Sequence, residues 1–137
     1  MYAIKTEIRD PKARTFDFRS QKTMYGGKNI AKGDTVYLFA SENERGVGLV
    51  AKGVVMAAIP APTSPDLERQ TPRVSIAVRR TALAKRGLGR KELKPHAEWN
   101  DGRPETELNF MFYPQATNKI IGVSPGVVTF LESHFRE

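Results

Sequence analysis

The chain has no cysteine, which excludes disulfide staples, thiolate metal centres and a cysteine nucleophile. It has only two histidines, His96 and His134, too few for the usual nitrogen- and sulfur-ligated zinc site. No metal and no cofactor is therefore expected. No stretch approaches the roughly 18 apolar residues that a membrane span needs. The opening Met1-Tyr2-Ala3-Ile4-Lys5 alternates at once, unlike a signal peptide, so a cytoplasmic protein without membrane association is the expectation. Catalytic signatures are also missing: the chain contains no Gly-x4-Gly-Lys-Ser/Thr, GxGxxG, GxSxG or HExxH. Internal repeats and low-complexity tracts are absent too.

What the sequence does have is positive charge, unevenly placed. The 137 residues fit one domain over 1–137, long enough to bury a core without staples. The formal net charge is +7, and residues 73–94 alone carry a net +7. Arg73, Arg79, Arg80, Lys85, Arg86, Arg90, Lys91 and Lys94 there face Glu92 as the sole acid. Such a segment reads either as a solvated face or as a phosphate-contacting edge, since Lys and Arg release counterions when they meet a polyanion.

The apolar pattern is that of short strands. Tyr2, Ile4, Thr6 and Ile8 alternate with Lys5 and Glu7, and Asp10-Pro11 ends the run. Residues 12–32 are polar and basic, with no clear period beyond a possible short helix. Gly33-Asp34 signals a turn, and Thr35–Ser41 follows as a strand apolar on both faces, as in a barrel wall. Val47–Ile59 is a long apolar run, in which Gly48 and Gly53 mark bulges or a close backbone approach. The proline-rich stretch Pro60–Asp66 reads as a surface loop. Arg73–Arg80 alternates again, Thr81–Arg86 is expected to start a short helix capped by Thr81, and 94–106 to form a loop. Leu108–Tyr113 and Lys119–Val123 are expected to pair as a hairpin across Pro114–Asn118. Ser124-Pro125 starts an amphipathic helix over 125–135, with Val127, Val128, Leu131 and Phe135 as its stripe. With some six strands and no strand–helix alternation, the fold class is mainly β (α+β): a small mixed or antiparallel β-barrel with short peripheral helices.

Chemistry-bearing residues are few. His134 reads as solvated near a helix end and His96 as idle in a polar loop. Glu42, Glu44, Glu105 and Glu107 read as solvated carboxylates, although one well-placed carboxylate suffices for acid–base work. Tyr25, Tyr37, Phe39, Trp99 and Tyr113 could stack on a base, a contact contributing about 1–3 kcal/mol. Phe39 and Tyr37 read equally as barrel wall, and Trp99 as either a lid or an exposed platform.

Residues 33–55 carry a resemblance. Gly33-Asp34-Thr35-Val36-Tyr37-Leu38-Phe39-Ala40-Ser41 followed by Gly48-Leu49-Val50-Ala51-Lys52-Gly53-Val54-Val55 resembles the centre of the EVE domain, one of the PUA-like group with the YTH and ASCH domains. The opening strand, the proline-rich turn, the strand at 73–78 and the closing strand and helix resemble it in order. The chain departs from the family in having Tyr2-Ala3 where a Tyr-Trp pair is usual, and Tyr25-Gly26-Gly27-Lys28-Asn29 where a tryptophan and Arg-Asn are usual. Ala40 stands where a histidine precedes the strand-end serine. The ASCH motif Gly-x-Lys-x-x-Glu-x-Arg is missing.

The resemblance implies a PUA-like barrel that takes a nucleobase, often a modified one, from DNA or RNA. Tyr25, Asn29 and Ser41 match its motif positions, and with Trp99 they are the expected base pocket. Lys28, Arg79, Arg80, Lys85, Arg86, Arg90 and Lys91 are the expected phosphate contacts. The expected function is a non-catalytic nucleic-acid reader whose partner is DNA or RNA. Two alternatives stay open: a metabolite enzyme using Glu42 or Glu44 as acid–base group, and a module whose basic face meets an acidic protein.

Overall fold

The computed structural model describes residues 1–62, 71–113 and 118–136, without the Glu44 side chain. Strands β1 (Tyr2–Thr6), β2 (Thr15–Met24), β3 (Thr35–Ala40), β4 (Gly48–Pro60), β5 (Arg73–Leu83) and β6 (Lys119–Gly122) close into a barrel in the order β1-β3-β4-β5-β2-β6. The β1–β3 and β2–β6 pairs are parallel and the other four antiparallel. The mixed small barrel expected from the strand pattern is the observed architecture. Helices α1 (Arg90–Leu93), α2 (Pro104–Phe112) and α3 (Pro125–Glu132) lie outside it.

Alternation along the strands builds two cores. Ile4, Val36, Leu38, Ala40, Val78 and Ile120 point into the barrel. Ala3, Tyr37, Phe39 and Ile121 point outward, where Leu93, Leu108, Phe112, Val127 and Leu131 cover them. β3 therefore has both faces buried, as its continuous apolar run requires. Gly48, at φ 90°, would place a Cβ 2.2 Å from the Leu88 carbonyl oxygen, and a Cβ on Gly53 would lie 2.4 Å from that of Arg79. Both are the close backbone approaches expected of glycines within a strand.

Four elements differ from the sequence pattern, one of them the single-turn α1 at Arg90–Leu93, for which the pattern gives no signal. Residues 15–24 form β2, which the pattern does not reveal. Phe16 and Phe18 face inward, but the register shifts between Phe18 and Gln21 through Ser20 at φ 50°, so that Gln21 and Thr23 take the buried positions. Residues 81–83 continue β5 instead of starting a helix. Pairing of Leu83 with Ala51 and of Ala82 with Lys52 outweighs the capping tendency of Thr81, whose hydroxyl donates to the Lys52 carbonyl. Residues 108–112 belong to helix α2, not to a strand, and β6 pairs with β1 and β2 instead of forming a hairpin with them. Pro104 occupies the first helical turn, as Pro125 does in α3, and Glu105 and Glu107 follow in the first turn, all helix-start signals. The loop expected over 94–106 accordingly ends at Pro104. The end of the proline-rich loop, from Thr63, and residues 114–117 of the expected hairpin connection lie outside the described residues.

Ser124 accepts from the Val127 N–H at 3.3 Å as the expected cap of α3. His134 corrects its expectation: it is buried, its Nδ1 lies 3.0 Å from the Phe130 carbonyl oxygen, and its ring stands edge-on to Phe130. No helix of the described residues is long and apolar enough to cross a membrane.

Candidate nucleic-acid interface

The expected base-pocket residues lie at two ends of the barrel. Ser41 follows β3 and donates its N–H to the Thr6 carbonyl, at the end of β1. Tyr25 follows β2 and accepts from Gly122, which pairs with Tyr2 at the start of β1. Four residue steps of about 3.3 Å, roughly 13 Å, separate these levels. One pocket lined by Tyr25, Asn29, Ser41 and Trp99 is therefore not formed. The parallel pairing of β1 with β3 carries the strand-end serine to the far end from Tyr25.

At the Ser41 end, buried polar groups collect. Ser41 is fully buried and its hydroxyl has no hydrogen-bond partner; the same holds for Glu42 Oε1 and for Lys119 Nζ. Glu42 Oε2 accepts from the Arg90 N–H at 2.6 Å and from the Tyr113 hydroxyl at 3.2 Å. Lys5, 1% exposed, donates to the Phe112 carbonyl at 3.1 Å, where a cation suits the end of helix α2. Its Nζ lies 4.2 Å from the Tyr113 ring centre, and the Arg90 guanidinium 5.8 Å from it. Burial, then the Glu42 charge, pushes the Tyr113 hydroxyl well above the usual phenol range. Burial pushes the Lys5 amine down, with Glu42 opposing and Arg90 adding to the shift.

A groove of about 480 Å³ adjoins this corner, lined by the cations Arg90, Lys91 and Lys94, by the carboxylates Glu42 and Glu92, and by Gly46, Val47 and Gly89. Arg90 and Lys91, two of the expected phosphate contacts, thus come together with Ser41's neighbour Glu42. Lys5, Thr6, Tyr113 and Lys119 were not singled out as a group by the sequence pattern. The available signal is a lysine on the buried outward face of a strand: Lys5 two residues from Ala3 and Lys119 two from Ile121.

At the other end, Tyr25 and Trp99 line a cleft of about 320 Å³ with Gly102, Arg103, Thr106, Glu107, Phe110 and Met111. Tyr25 and Asn29 line an adjoining one of about 370 Å³ that also includes Met111. Trp99 is 79% exposed and Tyr25 52%, so Trp99 is a platform and not a lid. Tyr25 sits at φ 53°, a left-handed conformation uncommon for an aromatic residue. Asp101 holds the Trp99 loop by accepting from the Arg103 N–H and the Thr106 hydroxyl, both at 2.9 Å. The first of these bonds is the main reason its carboxyl lies below the usual range.

The remaining expected phosphate contacts are dispersed. Lys28 is exposed in the short helical turn before β3. Arg79 is exposed on β5. Arg80 is committed to structure, its Nε donating to the Ala13 carbonyl at 2.8 Å. Lys85 and Arg86 donate their backbone N–H groups to the His134 carbonyl, and the Arg86 guanidinium donates to the Ser133 carbonyl. Among the described residues, no group of three or more His, Asp or Glu side chains could hold a metal ion.

No protein-family model matches the chain, and no curated protein does. Solved structures do. The DUF55 domain of human thymocyte nuclear protein 1 is 17% identical over 99% of both chains, with a TM-score of 0.66. Human THYN1 protein in complex with 5-methylcytosine containing DNA is 18% identical over 99% of this chain and 98% of that one, also at 0.66. A Pseudomonas putida protein is 17% identical over 98% and 99%, at 0.64. At this identity the likeness shows the fold alone, and that fold is the small closed mixed barrel the strand pattern leads one to expect.

Proposed function

We propose that this chain is a single EVE-like, non-catalytic domain that binds nucleic acid and reads a modified or flipped base. The observation that carries this reading is the coincidence, at one end of the barrel, of buried unpartnered polar groups with a groove in which three cations outnumber two carboxylates. Ser41 Oγ and Glu42 Oε1 are unused, and Arg90, Lys91 and Lys94 line the groove beside Glu42. A carboxylate oxygen accepts from an exocyclic amine such as that of cytosine, and the cations suit the flanking phosphates. The solved complex of a protein of this fold with 5-methylcytosine containing DNA supports the same class of ligand.

The enzyme alternative has less to rest on. Glu42 Oε2 already accepts from Arg90 and Tyr113, and the Glu44 side chain lies outside the described residues. The acidic-protein alternative rests on charge alone, whereas the nucleic-acid reading also uses the buried acceptors.

The test is binding to DNA and RNA oligonucleotides, plain and base-modified, across a salt series. A preference for one base that survives high salt and is lost in Ser41→Ala and Glu42→Gln supports the reading. Binding that ignores the base and vanishes with salt reduces it to a basic face, and no binding at all refutes it.

The aromatic cleft earns a second reading, as a stacking site for another base, because Trp99 and Tyr25 are exposed around one cavity. Trp99 is the only tryptophan, so its fluorescence reports on this directly. Quenching by a bound oligonucleotide supports stacking there, and an unchanged spectrum at saturation removes it.

A further inference from the structure

Lys5, Lys119 and Lys22 sit side by side at one register across three neighbouring strands: Lys119 of β6 pairs with Lys5 of β1 on one side and with Lys22 of β2 on the other. Directly opposed residues share a face of the sheet, and like charges so placed repel. The alternation fixes which face. Ile4 and Ile120 point into the barrel, so the lysines point outward, beneath the end of α2 where Lys5 meets the Phe112 carbonyl. Lys22 is exposed at the open end of the row.

Lys119 is the anomaly. It is 2% exposed, and its Nζ has no hydrogen-bond partner. Buried ammonium groups are ordinarily paired, because removing a charge from water is far more costly than removing a neutral polar group. The charges acting on Lys119 are those of Lys5 and Lys22, both repulsive. Its preceding segment, Pro114-Gln115-Ala116-Thr117, contains no carboxylate in its sequence. Burial, followed by those two lysines, pushes its amine down to about 8, so at neutral pH the ammonium form still prevails and lacks the anion that would pair with it.

We propose that the Lys22–Lys119–Lys5 row is a phosphate seat, entered from the exposed Lys22 side, in which the ligand's oxygens supply the partner that Lys119 lacks. The chemistry is that of a phosphate group, free or within a nucleic-acid backbone. The proposal depends on the nucleic-acid reading only for the carrier of that phosphate. None of the three lysines belongs to the basic segment 73–94 or lines the Arg90–Lys94 groove, although Lys5 shares the Tyr113 ring with Arg90, so the row is a neighbouring set of cations on the same corner.

The experiment measures the thermal midpoint with inorganic phosphate against chloride at matched ionic strength, and affinity for a DNA duplex containing one 5-methylcytosine. It compares the native chain with Lys119→Met and Lys22→Gln. A ligand that binds only the folded state raises the midpoint. The native chain should show a phosphate-specific rise. Lys119→Met should be at least as stable without phosphate, because it removes an unpaired buried charge, and should lose the rise. Lys22→Gln, an exposed change that keeps the fold, should reduce the rise, and this holds the test open should the methionine variant not fold. If phosphate acts through Lys119 or Lys22 and DNA does not bind, the seat stands and the nucleic-acid reading falls. If both act through these lysines, with DNA affinity dropping about tenfold in Lys119→Met, the carrier is the backbone. No phosphate-specific rise, or one that both variants retain, overturns the seat, even where DNA still binds.

Discussion

Replacing Lys91 and Lys94 by glutamine removes two positive charges from the 480 Å³ groove beside Glu42 and leaves the rest of the molecule in place. Both side chains are exposed, and surface changes of this kind usually alter stability by no more than about 0.5 kcal/mol. Each lost phosphate contact lowers the slope of log K against log salt by about 0.9 on duplex DNA. Two contacts make about 1.8. Between about 50 and 200 mM salt, a fourfold change, each contact accounts for roughly a 3.5-fold loss of affinity and the two together for roughly 12-fold. The native chain's affinity should therefore fall with salt more steeply than the variant's by that factor, and the two curves should converge at high salt. Fluorescence anisotropy of a labelled duplex over a salt series reads both quantities. Arg79→Gln, at an exposed position of β5 outside the groove, is the comparison and should leave the slope unchanged. Parallel lines for the native chain and the Lys91, Lys94 double variant would refute the assignment of the groove to phosphate contact, whatever the absolute affinities.

Three further outcomes follow from the geometry. The Lys119 amine lies at about 8 against an ordinary 10.5, so between those values the unfolded chain holds more protons than the folded one. Stability should therefore rise from about pH 8 to 10.5 by up to roughly 3 kcal/mol and stay flat in this contribution below pH 8; urea unfolding across that range checks it, and Lys119→Met should lack the rise. Gly48→Ala adds a Cβ 2.2 Å from the Leu88 oxygen at a backbone φ of 90°, and should destabilise the fold by more than about 2 kcal/mol, read by thermal or urea denaturation. Arg80→Gln should lower stability by about 1 kcal/mol through loss of the bond to Ala13, with the salt dependence of binding unchanged; a changed salt slope at equal stability would reverse that assignment.

The barrel was legible where alternation was clean. β1, β3 and the start of β5 follow from residue types alone, and the glycines at 48 and 53 announce the backbone contacts they make. β2 was hidden by its register shift at Ser20, which moves Gln21 and Thr23 into buried positions and cancels the period. Helix α2 is masked because Leu108, Phe110 and Phe112 alternate as a strand would, while Leu108 and Phe112 are also four apart and share the helix face that covers the barrel. The candidate site was legible only in part. Ser41, Arg90 and Lys91 converge on one end, but nothing local in the sequence reveals that Lys5 and Lys119 meet, since that depends on the pairing of strands from opposite ends of the chain. Arg80 shows the reverse case: a charge that composition assigns to a ligand serves a carbonyl of its own chain.

The position of β6 also governs how the molecule can assemble. Tyr2 pairs with Gly122 and Lys22 with Lys119, so the seam between the first two strands is sealed by the last one. Such pairings are as non-local as this chain allows, and the loop-closure entropy must be lost before any of their bonds form. Folding should accordingly be slow for the chain's size, with closure as the late event. Until residues 119–122 arrive, β1 and β2 each present an unpaired edge to other chains.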